Sequence, residues 1–351
     1  MKLSILCQKD IPMTETELNS MSNVSSKMNQ DEAARVAAVT GSIIETFGTR
    51  VIGQNHLARR LMMALIADGH VLLEGLPGLA KTTAIKTIAS LSGLRFSRIQ
   101  FTPDLLPADV TGTQIYDPKT SSFSVKKGPV FANLVLADEI NRAPAKVQSA
   151  LLEAMQEHQV TIGSETHRLE EPFLVMATQN PLEQEGTYPL PEAQLDRFMF
   201  KVKVGYGSFD DEKRMLVASS SGEWDRELKA ILSRSEILRV RQLVSKIHVS
   251  DKLHHYIVSL VFASRDPDKY KLSELKPWIQ VGASPRATLY LEKAARVNAL
   301  LSGRDFVTPQ DVKEVALDVM RHRITLSFAA EAEQMTSERI VQKIMDTVVV
   351  P

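Results

Sequence analysis

Residues 75–82 read Gly-Leu-Pro-Gly-Leu-Ala-Lys-Thr. A glycine-rich turn opening a helix presents successive backbone N–H groups to an anion, and the helix dipole adds to the attraction. Glycine permits the tight turn and the close approach of a phosphate. In that frame Lys81 reaches the β- and γ-phosphates of a nucleotide and the Thr82 hydroxyl binds Mg²⁺. Gly75, Pro77, Gly78, Leu79, Ala80 and Thr83 complete the cradle. The strict pattern has glycine where this chain has Ala80, a departure of one methyl group. Residues 134–139, Leu-Val-Leu-Ala-Asp-Glu, form an apolar run ending in two carboxylates, with Asp138 57 residues after Lys81. Asp138 is suited to hold Mg²⁺ through water, and Glu139 to take a proton from an attacking water. Either segment alone has an ordinary explanation, as a Gly/Pro turn or an acidic strand end. In this order and at this separation they point to hydrolysis of a nucleoside triphosphate.

For those side chains to meet, the loop must lie between a buried strand and a helix. Val71-Leu72-Leu73-Glu74 supplies the strand and residues 81–91 the helix. Further apolar strands are expected at 95–101, 133–137, 172–178 and 198–204. A helix over 145–157 has Pro144 at its first turn and turns Val147, Leu151 and Met155 inward. Strands alternating with helices argue for a parallel sheet covered on both faces. Ahead of it, helices are expected over 31–47, ending near Gly48, and over 55–68. Beyond about residue 206 the strand signals fade. Ser284-Pro285 caps a helix running to Gly303, and Thr308-Pro309-Gln310-Asp311 caps another. Residues 104–130 are turn-rich, and 158–171 read as a hairpin around Gly163-Ser164. The expected organisation is a floppy tail over 1–30, an α/β domain over 31–205 and a smaller all-helical domain over 206–351.

Composition narrows the partners. The 351 residues carry 42 Lys+Arg against 42 Asp+Glu, so no charge surplus advertises nucleic acid or an anionic membrane. A hydrophobic content of 44% is enough for real cores. The single cysteine, Cys7, excludes an internal disulfide and makes the cytosol the simplest compartment. No apolar run approaches the roughly 18 residues of a membrane helix. The run Leu3–Cys7 after Lys2 is too short for a signal peptide. His254 and His255 are adjacent and point apart on a helix, so they suggest no metal site.

Four ordered segments carry a family resemblance: 75–82, then Ala137-Asp-Glu-Ile-Asn-Arg-Ala-Pro144, Ala177-Thr-Gln-Asn-Pro181, and Pro191-Glu-Ala-Gln-Leu-Asp-Arg-Phe198. Over roughly residues 31–330 they resemble the MoxR family of AAA+ ATPases, whose loop tolerates alanine at the Ala80 position. The resemblance implies a P-loop α/β nucleotide domain with a C-terminal helical lid, ATP and Mg²⁺ bound between the two, and ATP hydrolysis. It implies that Val51-Ile-Gly-Gln54 lies beside the adenine and that Asn180 is the sensor-1 residue orienting the attacking water. Arg197 matches an arginine finger that reaches a neighbouring subunit's γ-phosphate. Arg286 matches sensor 2, at the start of a lid helix. Arg142 sits among these motifs without an assigned role. In related ATPases the two insertions, at 104–130 and 158–171, face a ring pore and touch substrate. An arginine useful only in a neighbour's site implies a ring, by resemblance a hexamer. The same resemblance implies a chaperone-like motor that matures a protein client and works with a protein carrying a von Willebrand factor A domain. The alternatives are a DNA-directed AAA+ motor, disfavoured by the neutral charge, and a nucleotide-gated scaffold without turnover, disfavoured by the intact Lys81, Asp138, Glu139 and Asn180. Neither nucleic acid nor membrane insertion is expected.

Overall fold

The computed structural model describes residues 15–76, 78–181, 186–220 and 227–351; Pro77 and Cys7 lie outside the described residues. The chain opens with helices α1 (Glu15–Gly48) and α2 (Asn55–Ala67). Strand β1 (Val71–Gly75) runs through the phosphate loop into α3 (Lys81–Leu91), and β2 (Phe96–Gln100) follows. Next come the short helix α4 (Pro107–Thr111), the hairpin β3 (Gly112–Asp117) and β4 (Ser122–Lys127), and strand β5 (Leu134–Asp138). After α5 (Ala145–Glu157), a second hairpin, β6 (Gln159–Ile162) and β7 (Glu165–Arg168), leads to β8 (Leu174–Gln179), α6 (Glu192–Leu195) and β9 (Phe200–Val204). The remainder is α7 (Phe209–Ser220), α8 (Arg234–Val244), α9 (Asp251–Arg265), β10 (Ile279–Val281), α10 (Pro285–Leu301), α11 (Pro309–Met320), β11 (Thr325–Leu326), α12 (Phe328–Ala332) and α13 (Ser337–Thr347).

The central sheet has five strands in the order β2-β5-β8-β1-β9, and every neighbouring pair is parallel. The three inner strands β1, β5 and β8 read as nearly unbroken apolar runs because both faces are buried, whereas the edge strands β2 and β9 carry polar residues. Alternate residues divide between two cores: Val71, Leu73, Leu134, Leu136, Leu174 and Met176 face one, and Leu72, Val135, Ala137, Val175 and Ala177 the other. Parallel strands put all their carboxyl ends on one edge of the sheet, the edge where open α/β sheets bind ligands.

Three expectations shift. The first helix starts at Glu15, inside the segment read as a tail, so residues 15–30 belong to α1. Its Ser- and Asn-rich start carries no apolar stripe, which is the signal a sequence reading follows. The turn-rich stretch 104–130 holds a six-residue-per-strand hairpin whose exposed strands lack the apolar alternation of a half-buried pair. The helical half contains two very short strands, β10 and β11, paired antiparallel. The change of secondary structure near residue 206 is not a change of core. The core on one sheet face continues from Ile43 and Leu61 through Leu136 to Leu260, Leu291, Val315 and Ile344. Arg60 of α2, 1% exposed, is locked to Asp318 of α11 at 2.6 Å. The helical half is fastened to the rest of the chain by apolar packing and by this buried ion pair to α2.

Candidate nucleotide-binding site

The end of β1 fixes the first atoms of the site. A Cβ on Gly75 would stand 2.6 Å from the Val204 carbonyl of β9, so the neighbouring strand requires glycine there. The loop then turns through Gly78 at φ +83° and Ala80 at φ +52° before α3 begins. Ala80 thus occupies the left-handed region, which glycine adopts freely and an L-residue adopts at about 1 kcal/mol. Lys81 donates from Nζ to the Gly75 carbonyl at 2.6 Å, folding its ammonium back over the loop. Gly78, Leu79, Ala80, Lys81, Thr82 and Thr83 line a cleft of about 320 Å³, and Asp138, Glu139 and Asn180 close its far wall. Every described member of the expected set that belongs to the loop, the acidic pair or the sensor-1 strand is therefore brought together, at the carboxyl edge of β1, β5 and β8.

The acidic pair is held by neighbouring strands. Asp138 Oδ2 accepts from Arg98 Nη2 at 2.7 Å and Nε at 3.1 Å, and its Oδ1 accepts from Thr178 Oγ1 at 2.7 Å. The Thr178 hydroxyl in turn accepts the Glu139 backbone N–H at 2.8 Å. Glu139 itself sits at φ +56°, turning its side chain out of the strand into the cleft. Its Oε2 accepts from Gln100 Nε2 at 2.8 Å and from Arg142 Nη1 at 3.0 Å. Both contacts fall on Oε2, which leaves Oε1 for a water molecule. Arg142 thus gains a place: one turn past Glu139, paired with it. Arg98, Gln100 and Thr178 went unassigned in the sequence. The signal for the first two was polar residues on alternate positions of a strand that had to flank β5.

The donor set fits Mg²⁺. Thr82 and Asp138 face the same cleft. Among the described residues no group of three His, Cys, Asp or Glu side chains is placed to hold a metal. An ion held by Thr82 and Asp138 would take its remaining ligands from phosphate and water, as Mg²⁺ does in nucleotide sites.

Gln54 donates from Nε2 to the Gly205 carbonyl at 3.0 Å, tying the Val51–Gln54 turn to the exit of β9. Beside that turn, Ile52 and Gly53 line a cavity of about 960 Å³ with Gly41, Glu45, Lys213 and Val217, between α1 and α7.

Arg197 and Arg286 lie elsewhere. Arg197 precedes β9, whereas the cleft lies beyond the opposite end of the strands. Five residues of parallel strand span about 16 Å. Both arginines line a separate pocket of about 150 Å³ with Asp68, His70, His158 and Tyr290, which shares no residue with the cleft. Arg286 is therefore not over its own phosphate loop; it stands beside Arg197. The reason is the N-cap of α10: Ser284 accepts the Arg286 N–H at 3.1 Å and donates to both oxygens of Asp196 at 2.9 Å. Asp196 pins that helix start to the residue before Arg197. Nor does Arg197 pair with Asp196; its Nη1 donates to the Leu152 carbonyl at 2.7 Å. His70 accepts the Val175 N–H on Nδ1 and donates from Nε2 to the Met155 carbonyl, and burial pushes its pKa down to about 4.

Comparison with known proteins agrees with this architecture. The family described as "ATPase family associated with various cellular activities (AAA)" matches residues 70–200, and "AAA lid domain" matches 274–344. The chain is 50% identical over 301 residues to Chaperone MoxR1 of Mycobacterium tuberculosis, covering 86% of this chain and 79% of that one. It is 32% identical to Protein MoxR of Paracoccus denitrificans, covering 84% and 90% of the two chains. A solved structure from Cytophaga hutchinsonii is 45% identical, covers 96% of this chain and 99% of its own, and superposes with a TM-score of 0.86. With this fold, this loop and these relatives, the chain belongs to the MoxR family of AAA+ ATPases.

Proposed function

We propose that this chain hydrolyses ATP with Mg²⁺ inside a homo-oligomeric ring, by resemblance a hexamer, and uses the cycle to act as a chaperone on a protein client. The observation that carries the proposal is the separation of two half-sites: phosphate loop, acidic pair and Asn180 at the carboxyl edge of the sheet, two arginines at the other. One subunit's arginines are too far from its own loop to complete it, and a ring brings them to the next.

In this reading the α3 N-terminus and Lys81 hold the β- and γ-phosphates. Thr82 and Asp138 would hold the metal, which would supply charge neutralisation at the phosphates. Glu139 takes the proton of a water that Asn180 orients, the water oxygen bonds to the γ-phosphorus, and the β–γ bridging oxygen leaves with ADP. Arg197 and Arg286 of the neighbour meet the charge that develops on the γ-phosphoryl oxygens. The cavity beside Ile52 and Gly53 takes the base. Residues 206–351 serve as the lid. A von Willebrand factor A domain protein is the partner the family resemblance suggests, and the cytosol the compartment. No described helix is long and apolar enough to cross a membrane.

The test is Glu139→Gln. It should bind ATP as tightly as the wild type and release phosphate at least about 100-fold more slowly. Turnover within twofold of wild type removes Glu139 from its role, and absence of turnover in the wild type itself leaves the scaffold reading standing.

A further inference from the structure

Arg323, in the turn after α11, has no part in the expected site, yet every nitrogen of its guanidinium is engaged. Its side chain is 0% exposed. A guanidinium has five N–H donors in a fixed plane. Here Nε donates to Asp196 Oδ1 at 2.8 Å, and Nη2 to the carbonyls of Asp196 at 3.0 Å and Phe198 at 2.5 Å. Nη1 donates to the carbonyls of Met199 at 3.3 Å and Val319. The two carbonyls bound by Nη2 bracket Arg197. The Tyr290 ring lies 5.0 Å from the same guanidinium, and its hydroxyl donates to the Arg197 carbonyl at 3.3 Å. One helical-half residue therefore grips the backbone on both sides of Arg197.

Asp196 joins this grip to Arg286. Its carboxylate receives Arg323 and Ser284 at short range and Arg286 Nη1 only at 3.4 Å. Arg286 is 42% exposed, so it is the partner free to exchange Asp196 for a phosphate while Arg323 keeps the carboxylate neutralised. Other groups facing the assembly are Asp68, His70 and His158.

We propose that Asp196 and Arg323 are positioning residues that hold Arg197 and Arg286 as one unit, aimed at the γ-phosphate of the adjacent subunit. This rests on the composite-site reading above. It makes the pose of the lid a determinant of the aim of Arg197, because Arg323 and Ser284 come from the helical half and Asp196 from the end of α6, just ahead of β9.

Arg323→Lys keeps the charge and loses the fork, with three donors on a single nitrogen in place of five in a plane. The expected result is a kcat at least tenfold lower, with KM for ATP and affinity for a non-hydrolysable ATP analogue unchanged. Co-assembled with Glu139→Gln subunits, which retain the intact grip, Arg323→Lys subunits should regain turnover above either variant alone. A role in stability only would damage the subunit's own loop and give no such rescue. If Arg323→Lys does not fold, Ser284→Ala decides: it removes the hydroxyl whose one proton is shared between the two Asp196 oxygens, and a threefold or larger fall in kcat with the same rescue supports the proposal. Wild-type kcat in the folded variant, or a fall without rescue, overturns it. The control is Arg197→Ala mixed with Glu139→Gln. If that mixture is silent, the composite-site reading fails first; if it is active while the positioning variants behave like wild type, only the present inference fails.

Discussion

The two edges of the sheet are built in different ways. The carboxyl edge is a set of strand ends: each functional side chain follows a strand or caps a helix, within a few residues of a motif. The amino edge is assembled from four remote segments, around Asp68, Leu152, Asp196 and Tyr290–Arg323, and is held by buried polar contacts across the junction with the helical half. A local site is fixed by one strand–turn–helix, and a composite site by how two halves of a chain pack. Loss of the phosphate loop at the first edge should appear as lost binding, whereas loss of the arginines at the second should appear as lost turnover with binding intact.

Lys81→Ala should give the largest effect. It removes the ammonium that meets the phosphates, and ATP affinity by calorimetry should fall beyond detection; unchanged affinity refutes the loop assignment. Arg197→Ala comes next. An arginine supplied in trans contributes about 10³-fold or more to kcat in comparable phosphoryl transfers. ATP affinity should stay within about twofold, and a matching loss of affinity would erase the distinction between the edges.

Acid should act first at the amino edge, through stability. His70 is held neutral by burial, with a pKa of about 4 against about 6.5 for an open histidine. Between those values the unfolded chain binds the proton and the folded chain does not, so this contribution is intact above about pH 6.5 and is lost as pH falls toward 4. The loss from this group should reach about 1 kcal/mol by pH 5.5, read as a lower urea midpoint. His322, also buried and also shifted down, adds in the same direction. A midpoint unchanged between pH 7.5 and 5.5 contradicts the burial argument. The smallest effect is expected from Ala80→Gly. Relief of a left-handed alanine and the added freedom of the unfolded chain roughly cancel, leaving stability within about 1 kcal/mol and turnover near wild type. A large loss of turnover would mean the methyl group contacts the nucleotide.

The same contrast explains what the sequence made legible. The strands at 71–75, 134–138 and 174–179 announce themselves because burial on both faces demands nearly unbroken apolar runs, and 200–204 does so by apolar residues alternating with lysine at the sheet edge. Lys81, Thr82, Asp138, Glu139 and Asn180 could be placed from spacing and resemblance because one strand order brings them to one edge. Arg286 could be named and not located: its distance from the loop depends on where the α10 N-cap docks, and that docking is set by Asp196, about 90 residues away in sequence. Arg323 left no trace, since a buried arginine reads as a surface one until its five acceptors are known. The start of α1 was missed for the opposite reason, a helix in a segment that carries no periodic apolar signal.

The most direct test of the composite site is co-assembly of two variants that are each inactive. One carries Arg197→Ala with Arg286→Ala; the other carries Glu139→Gln. With both arginines acting on the neighbour, equal mixing should restore about a quarter of wild-type turnover, the fraction of sites that pair an intact base with an intact donor edge in a randomly mixed ring. A mixture as silent as its components would mean that at least one of these arginines serves its own subunit's phosphate loop, contradicting the account.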